Sequence, residues 1–145
     1  MDAFMRAAYE EAMRGLAEGG IPIGAVLVHR GIIIGRGHNQ RVQQGNPILH
    51  GEMDTLADAG RRPAAVYRES ILYTSLSPCI MCTGAILLFG IPEVIVGDAV
   101  NFSGETELLR SRGVRVSILD LPECVTMMRD YIASHRDLWN EDIAR

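Results

Sequence analysis

Apolar residues along the chain follow a helical period in some segments and a strand period in others. In residues 2–18 they recur every three or four positions, and Gly19-Gly20 ends this predicted helix. Two β-rich runs follow, Ile23–Val28 and Ile32–Gly37, and they are joined at Arg30-Gly31. This arrangement predicts an antiparallel hairpin.

The rest of the chain continues the alternation after a polar loop, Asn39–Pro47. The predicted helices are His50–Gly60, Cys79–Phe89, Glu105–Arg112 and one that begins at Pro122, and the predicted strands are Ser70–Ser75, Glu93–Gly97 and Val114–Leu119. Strands that alternate with helices of this length predict a layered α/β domain with helices on both faces of the sheet. With 145 residues and no linker or repeat, we expect one domain, residues 1–145.

Composition narrows the possible functions. All 14 basic residues are Arg, which excludes a Lys Schiff base and a P-loop lysine. The formal charge of −4 disfavours a nucleic-acid partner, because phosphate contacts need clustered positive charge. No apolar run reaches the roughly 20 residues of a membrane span, and the charged N-terminal stretch does not resemble a signal peptide. Two of the three cysteines form one C-x-x-C, which fits a reduced, cytoplasmic setting better than a disulfide scaffold.

The candidate chemistry lies in two short segments. Cys79 and Cys82 are three residues apart, so at a helix start both sulfur atoms lie on one face, where the helix N-terminus favours the thiolate. Together with His50 they form a three-ligand set, and catalytic zinc uses three protein ligands and keeps a fourth position for water. The other three histidines have no partner at ligand spacing, so we expect an open site.

Glu52 adds the acid–base group that such a site needs. Two thiolates cancel the formal charge of zinc, so a nearby carboxylate must accept the proton of the water. Glu52 lies two residues after His50, on the same helical turn, and can reach that water without binding the metal. The pattern His-x-Glu followed by Pro-Cys-x-x-Cys, here from His50 to Cys82, is the one known for zinc-dependent nucleobase deaminases.

Two other interpretations of the cysteines stay open. The C-x-x-C could be a redox pair, although this leaves His50 and Glu52 without a role. A closed structural zinc site would need Cys124 as its fourth ligand, but Cys124 lies far along the chain in a predicted helix and is better read as an inert thiol. His38 is interpreted as a loop or structural histidine.

Over almost the whole chain the sequence resembles the cytidine/deoxycytidylate deaminase superfamily, and within it the yeast-type cytosine deaminases. The matching stretches include Glu18–Gly24, Gly35–Asn39, Leu49–Glu52, Leu76–Cys79, Met81–Ile86, Val100–Phe102 and Glu141–Ile143. Relatives that deaminate guanine or tRNA adenosine usually have Ala where this chain has Gly51. Gly51 and the pair Asn101-Phe102 therefore favour the cytosine branch.

The resemblance implies a three-layer α/β/α domain with a mixed five-stranded sheet, usually a homodimer, with one Zn²⁺ in each chain and a role in cytoplasmic pyrimidine salvage. It also implies roles for individual residues: His50, Cys79 and Cys82 as zinc ligands, Glu52 as proton shuttle, Asn39, the Gly51 N–H and Asp142 at the ring edge, Phe102, Trp139, Ile23 and Ile143 as apolar walls, and the Ser77 backbone near the departing amine. Residues 137–145 would form a lid. Because N1 of a free base carries a hydrogen, Asp142 could distinguish a base from a nucleoside.

One departure from the relatives bears on the substrate. Ile48 precedes the predicted ligand His50 where a small polar residue is expected, and the loop 42–47 also differs. We therefore expect deamination of a small free base, with cytosine first and other cyclic amidines or purines, such as creatinine or guanine, as alternatives. A deaminase of tRNA adenosine or other polynucleotides and a non-catalytic zinc module remain as rivals.

Overall fold

The computed structural model describes all residues, 1–145, and its centre is one mixed β-sheet. The strands are β1 (Gly24–His29), β2 (Ile32–His38), β3 (Ser70–Thr74), β4 (Glu93–Val96) and β5 (Arg115–Ile118). Their order is β2-β1-β3-β4-β5. β1 pairs antiparallel with both β2 and β3, whereas β3, β4 and β5 run parallel. The predicted hairpin and the five-stranded sheet are confirmed.

Eight helices connect and cover these strands. They are α1 (Ala3–Ala17), α2 (Arg41–Gln44), α3 (Gly51–Ala59), α4 (Ala64–Arg68), α5 (Ile80–Phe89), α6 (Thr106–Ser111), α7 (Pro122–Ser134) and α8 (Arg136–Asp142). The sequence pattern did not predict α2, α4 or α8, which have four, five and seven residues and therefore at most about two turns in which a period could show. None of the helices is both long and apolar enough to cross a membrane.

The two faces of the sheet bury different helices, because side chains of a strand alternate between its faces. On one face Val26 and Val28 pack with Met5 and Ala8 of α1. On the other face their neighbours Ala25 and Leu27 join a larger core with residues of α3, α5 and α6, among them Leu56, Ile86 and Leu109. The result is a three-layer α/β/α domain, as expected.

Helix starts position the chemistry-bearing residues. His50 is the N-cap of α3, and Cys79 is the N-cap of α5, which follows β3. Cys124 lies in α7 and is fully buried, as an inert thiol would be. His38 ends β2 and is also buried, where its ring faces the carboxylates of Glu11 and Glu18, so it is a structural histidine.

Candidate metal centre and active site

The N-terminal ends of α3 and α5 meet at one point. There His50, Cys79 and Cys82 place their ligand atoms within 4.8 Å of one another. His50 Nδ1 lies 3.4 Å from Cys79 Sγ, and the two sulfur atoms are 3.7 Å apart. Cys124 is not part of this group, so the group has three members and leaves a position open.

These distances fit a tetrahedral zinc ion. With Zn–S near 2.3 Å and Zn–N near 2.0–2.1 Å, tetrahedral angles separate two sulfur ligands by about 3.8 Å, and a sulfur from a nitrogen by about 3.6 Å. The donor chemistry agrees as well. A hydrogen bond from Cys82 lowers the pKa of the Cys79 thiol to about 4, against the effect of burial, and a second bond to His50 acts in the same direction. A thiolate is the form of cysteine that binds metal.

The second ring nitrogen of His50 faces a carboxylate. His50 Nε2 lies 3.3 Å from Asp142 Oδ1, and the Asn39 amide donates to both Asp142 oxygens at 3.1 and 3.3 Å. A carboxylate behind a histidine ligand is the usual arrangement that fixes the ring orientation and tautomer at metal sites. Asn39 is fully buried and Asp142 is 7% exposed, so this chain of polar groups lies within the protein.

Glu52 is a buried carboxyl group with an unpartnered oxygen. Its side chain lies in the first turn of α3, the residue is 3% exposed, and Oε1 has no hydrogen-bond partner. Burial raises the pKa of Glu52 to about 7, although the nearby His50 opposes this rise. A carboxyl group that exchanges its proton near neutral pH is suited to general acid–base chemistry.

Gly51, between His50 and Glu52, allows α3 to approach the start of β1. A Cβ atom at this position would lie 2.9 Å from the carbonyl oxygen of Ile23. Any larger residue would push the two segments apart. As the first residue of α3, Gly51 has a backbone N–H with no partner within the helix.

A small cavity of about 10 Å³ adjoins the metal group. Its lining residues are Ile23, His50, Glu52, Leu76, Ser77, Cys79, Phe102, Trp139, Asp142 and Ile143. This volume holds about one water molecule, so a base needs the walls to move. A larger, open groove of about 610 Å³ lies between α1 and α7, but it contains none of the three candidate ligands.

The C-terminal helix closes one side of this cavity. Trp139 of α8 is 4% exposed and meets Phe102 edge to face, with ring centroids 5.6 Å apart. Asp142 ends the same helix. Arg41 Nη2 lies 3.6 Å from Glu141 Oε1, and this ion pair joins α8 to the start of α2.

The deaminase-like motif has a counterpart in known families. The family model for the cytidine and deoxycytidylate deaminase zinc-binding region matches residues 1–98, more than half of the chain. The chain belongs to this deaminase family. It is therefore a zinc-dependent hydrolytic deaminase of cyclic amidines, and the expected Zn²⁺ cofactor is confirmed.

Relatives within the deaminase family differ in substrate. The chain is 45% identical over 140 residues to the cytosine deaminase of Candida albicans, covering 96% of this chain and 93% of that protein. It is 43% identical over 108 residues to the tRNA-specific adenosine deaminase of Streptococcus pyogenes, covering 73% and 67%. Among solved structures, a guanine deaminase from Nitrosomonas europaea superposes with a TM-score of 0.71 at 26% identity, covering 90% of this chain and 84% of that one.

The structure brings all of the predicted site residues of this deaminase together. Nine line the cavity, Cys82 completes the metal group, Asn39 contacts Asp142, and Gly51 packs on Ile23. Leu76 also lines the cavity and was missed, because one more apolar residue at a strand end carries no chemical signal.

Ile48, expected to influence the pocket, is 55% exposed and lies outside the cavity lining. It lines an apolar groove with Met53 and Phe89 instead. The segment before Ile48 also lies outside the cavity lining. It lines a separate groove against Leu138 and Glu141 of α8, to which it contributes Arg41, Val42, Gly45 and Pro47.

Proposed function

We propose that this deaminase hydrolyses free cytosine to uracil and ammonia. The observation that carries the proposal is the buried carboxylate of Asp142 in the wall of a small apolar cavity, next to the Asn39 amide. A free pyrimidine base offers an N1–H donor to such a carboxylate, whereas a nucleoside carries its sugar at N1. The 45% identity to the Candida albicans cytosine deaminase over 96% of the chain supports the same substrate.

We assign the ring edge to three polar groups. The Asn39 amide offers a donor and an acceptor, the Gly51 N–H is a free donor at the start of α3, and the Asp142 carboxylate accepts. The apolar walls are provided by four residues: Ile23, Phe102, Trp139 and Ile143. A planar base needs this combination of a dry slot and a few fixed polar groups.

In the proposed mechanism His50, Cys79 and Cys82 hold one Zn²⁺, which when bound supplies Lewis-acid activation of a water molecule. Glu52 accepts a proton from the attacking water and passes it to ring N3 as oxygen adds to C4. Glu52 then delivers the second water proton to the exocyclic nitrogen, and the C4–N bond breaks to release ammonia. The backbone at Ser77 faces the departing amine.

We further propose that residues 137–145 act as a lid. The cavity of about 10 Å³ is too small for a pyrimidine, and Trp139, Asp142 and Ile143 form part of its wall. An outward movement of α8 would admit the base, and its return would exclude water. Product release would then depend on this same movement.

The test of the substrate is ammonia release by the zinc-loaded protein from cytosine, cytidine, creatinine, guanine and adenine. We expect release from cytosine and none from cytidine. Asp142→Ala should lower kcat/KM for cytosine, and Asp137→Ala, at an exposed carboxylate in the first turn of the same helix, is the matched control. Unchanged turnover of cytosine by Asp142→Ala would contradict the role of this carboxylate.

Guanine is the second candidate, because the chain superposes on a guanine deaminase over 90% of its length. Release of ammonia from guanine alone would keep the chemistry and replace the substrate. A tRNA substrate has less support. The alignment with the tRNA-specific enzyme leaves about a quarter of the chain unmatched, and the formal charge is −4. A gel shift with tRNA tests this directly.

We also propose that the chain forms a homodimer through α3 and α5. No charged residue occurs in α5, yet Ile80 and Leu88 are 62% and 79% exposed. Phe89, next to Leu88, lines an apolar groove of about 360 Å³ together with residues of α3. Exposed apolar residues beside an apolar groove are typical of an interface. In light scattering, Leu88→Glu should convert a dimer to a monomer, whereas Ile32→Glu, at a 67% exposed hairpin position, should not.

A further inference from the structure

The segment that carries Phe102 is organised around one buried carboxylate. Asp98 is fully buried and follows β4. Its Oδ1 accepts the backbone N–H groups of Val100 at 2.8 Å and Asn101 at 3.1 Å, and its Oδ2 accepts the Asn101 side-chain amide at 2.7 Å. These three bonds fix the path of the backbone immediately before Phe102.

Asn101 connects this segment to a helix. Its side-chain amide also donates to the carbonyl oxygen of Val125 in α7, at 2.9 Å. Helix α7 ends at Ser134, and α8, which carries Trp139, begins two residues later. The two aromatic walls are therefore held by elements that Asn101 joins.

The backbone of Asp98 reaches a third part of the site. Its carbonyl oxygen accepts the N–H of Ser77 at 2.9 Å and the Ser77 hydroxyl at 3.3 Å. Ser77 lines the same cavity as Phe102. Asp98 thus touches no part of the cavity itself, but it holds two segments that do.

We propose that Asp98 and Asn101 are positioning residues that hold Phe102 against Trp139 and thereby set how closely the cavity fits a single-ring base. The identity of the substrate in this inference rests on the proposed function, whereas the geometry of the wall does not. The hydrogen bonds of Asp98 and Asn101 order the loop before Phe102 in the absence of a base. A wall that is already ordered binds a ligand more tightly than a wall that must be ordered on binding.

The test compares Asn101→Ala and Asp98→Asn with wild type, each as the zinc-loaded protein. Asn101→Ala removes both side-chain bonds at a half-buried position, which limits the risk of misfolding. Asp98→Asn keeps an acceptor for the backbone N–H groups but places an amide donor against the donor of Asn101. The control is Asp120→Asn, at an exposed carboxylate that accepts the Ala99 N–H at 2.8 Å, because the amide oxygen of Asn can still accept this bond and the bonds of Asn101 stay intact.

Trp139 provides a readout that needs no substrate, because it is the only tryptophan and is 4% exposed. In Asn101→Ala and Asp98→Asn we expect a red-shifted emission and stronger acrylamide quenching. Wild type and Asp120→Asn should share a blue-shifted, weakly quenched emission. Unchanged quenching in both Asn101→Ala and Asp98→Asn would overturn the proposal, as would equal changes in Asp120→Asn.

Kinetics with cytosine separate this role from a general loss of stability. In the proposed complex Phe102 packs on the ring face, and this apolar contact differs little between the ground state and the transition state, so its displacement should raise KM about tenfold with kcat little changed. A fall in kcat at constant KM in both variants would contradict a positioning role for the wall. If wild type does not deaminate cytosine, the proposed substrate fails, and the fluorescence result still decides the geometry.

Discussion

His38 offers a quantitative test of how the protein stabilises the segment that leads to Asn39. Its Nδ1 lies 2.9 Å from Glu11 Oε1, and its Nε2 lies 2.8 Å from Glu18 Oε1. Ionised carboxylates only accept hydrogen bonds, so both ring nitrogens must donate, and the ring is an imidazolium. The perturbation is His38→Gln, which removes the charge and one of the two donors.

The loss in stability follows from what remains around Glu11. Removal of one partner from a buried ion pair costs about 3–5 kcal/mol when the other charge is left unpaired. Here Glu11 is 2% exposed but keeps Arg36 at 2.7 Å and Arg14 at 3.3 Å, so its charge stays compensated. We therefore expect a decrease of about 2 kcal/mol in the free energy of unfolding, nearer the value of one charged hydrogen bond. For a domain of this size this corresponds to a Tm lower by about 7 °C.

The loss should depend on pH with a definite sign. Burial lowers the pKa of His38, but hydrogen bonds to Glu11 and Glu18 outweigh it, and the net pKa is raised above 6.5. A raised pKa means that the stabilisation is fully present below the pKa of the unfolded chain and is lost as pH rises through the folded value. The pKa of Glu11 and that of Glu18 are lowered, so these carboxylates stay ionised around pH 6. Asp54 also contacts His38, because its carboxylate accepts the His38 backbone N–H at 3.0 Å.

The assay is urea unfolding of wild type and His38→Gln, both zinc-loaded, at pH 6 and at pH 9. The difference between the two proteins should be largest at pH 6 and smaller at pH 9, and the effects of pH on the shared zinc ligands cancel in it. The control is His29→Gln, where the ring faces Glu69 at 3.2 Å on the surface, and it should unfold as wild type does. A loss that is the same at both pH values, or that is equal in the control, would refute the assignment of an imidazolium.

Three further predictions concern the site. Glu52→Gln should retain one zinc per chain by metal analysis yet lower kcat for cytosine by about 10³-fold, and near-normal turnover would rule out its role as proton shuttle. Chelation should abolish ammonia release and Zn²⁺ should restore it, whereas activity that survives complete metal removal would contradict a metal-dependent reaction. Arg41→Gln should remove the ion pair with Glu141 of α8, which contributes at most about 1 kcal/mol, and should increase acrylamide quenching of Trp139 slightly; unchanged quenching would count against a role of this pair in holding α8.

The metal group could be predicted because its chemistry is encoded locally. The spacing of Cys79 and Cys82 places both sulfur atoms on one helix face, and the observed 3.7 Å separation agrees with that geometry. His50 and Glu52 are only two residues apart, so they lie within one turn at the start of α3. The strands and long helices were predictable from periodicity, and the predicted ends agree with the observed ends to within one residue.

The contacts that join distant segments around the site could not be predicted from residue spacing, because spacing along the chain constrains only local geometry. The bond from Asn39 to Asp142 joins residues 103 positions apart, and that from Asn101 to Val125 joins residues 24 apart. Ile48 shows that closeness in sequence to a site residue does not place a side chain in the cavity wall. Although it is adjacent in sequence to the segment that carries His50, its side chain faces outward, because the backbone bends through Leu49 to begin α3.

Asp142 lies where the metal group meets the proposed ring-edge contacts and the proposed lid. One of its oxygens reaches His50 at 3.3 Å, both accept from Asn39, and its backbone ends α8. An outward movement of α8 must therefore break the bonds to His50 and Asn39 together. A base that donates N1–H to Asp142 would add a bond that exists only in the closed arrangement, so the substrate itself would favour closure. A nucleoside has no such donor, and in this view it is rejected by failure to close the lid as well as by its size.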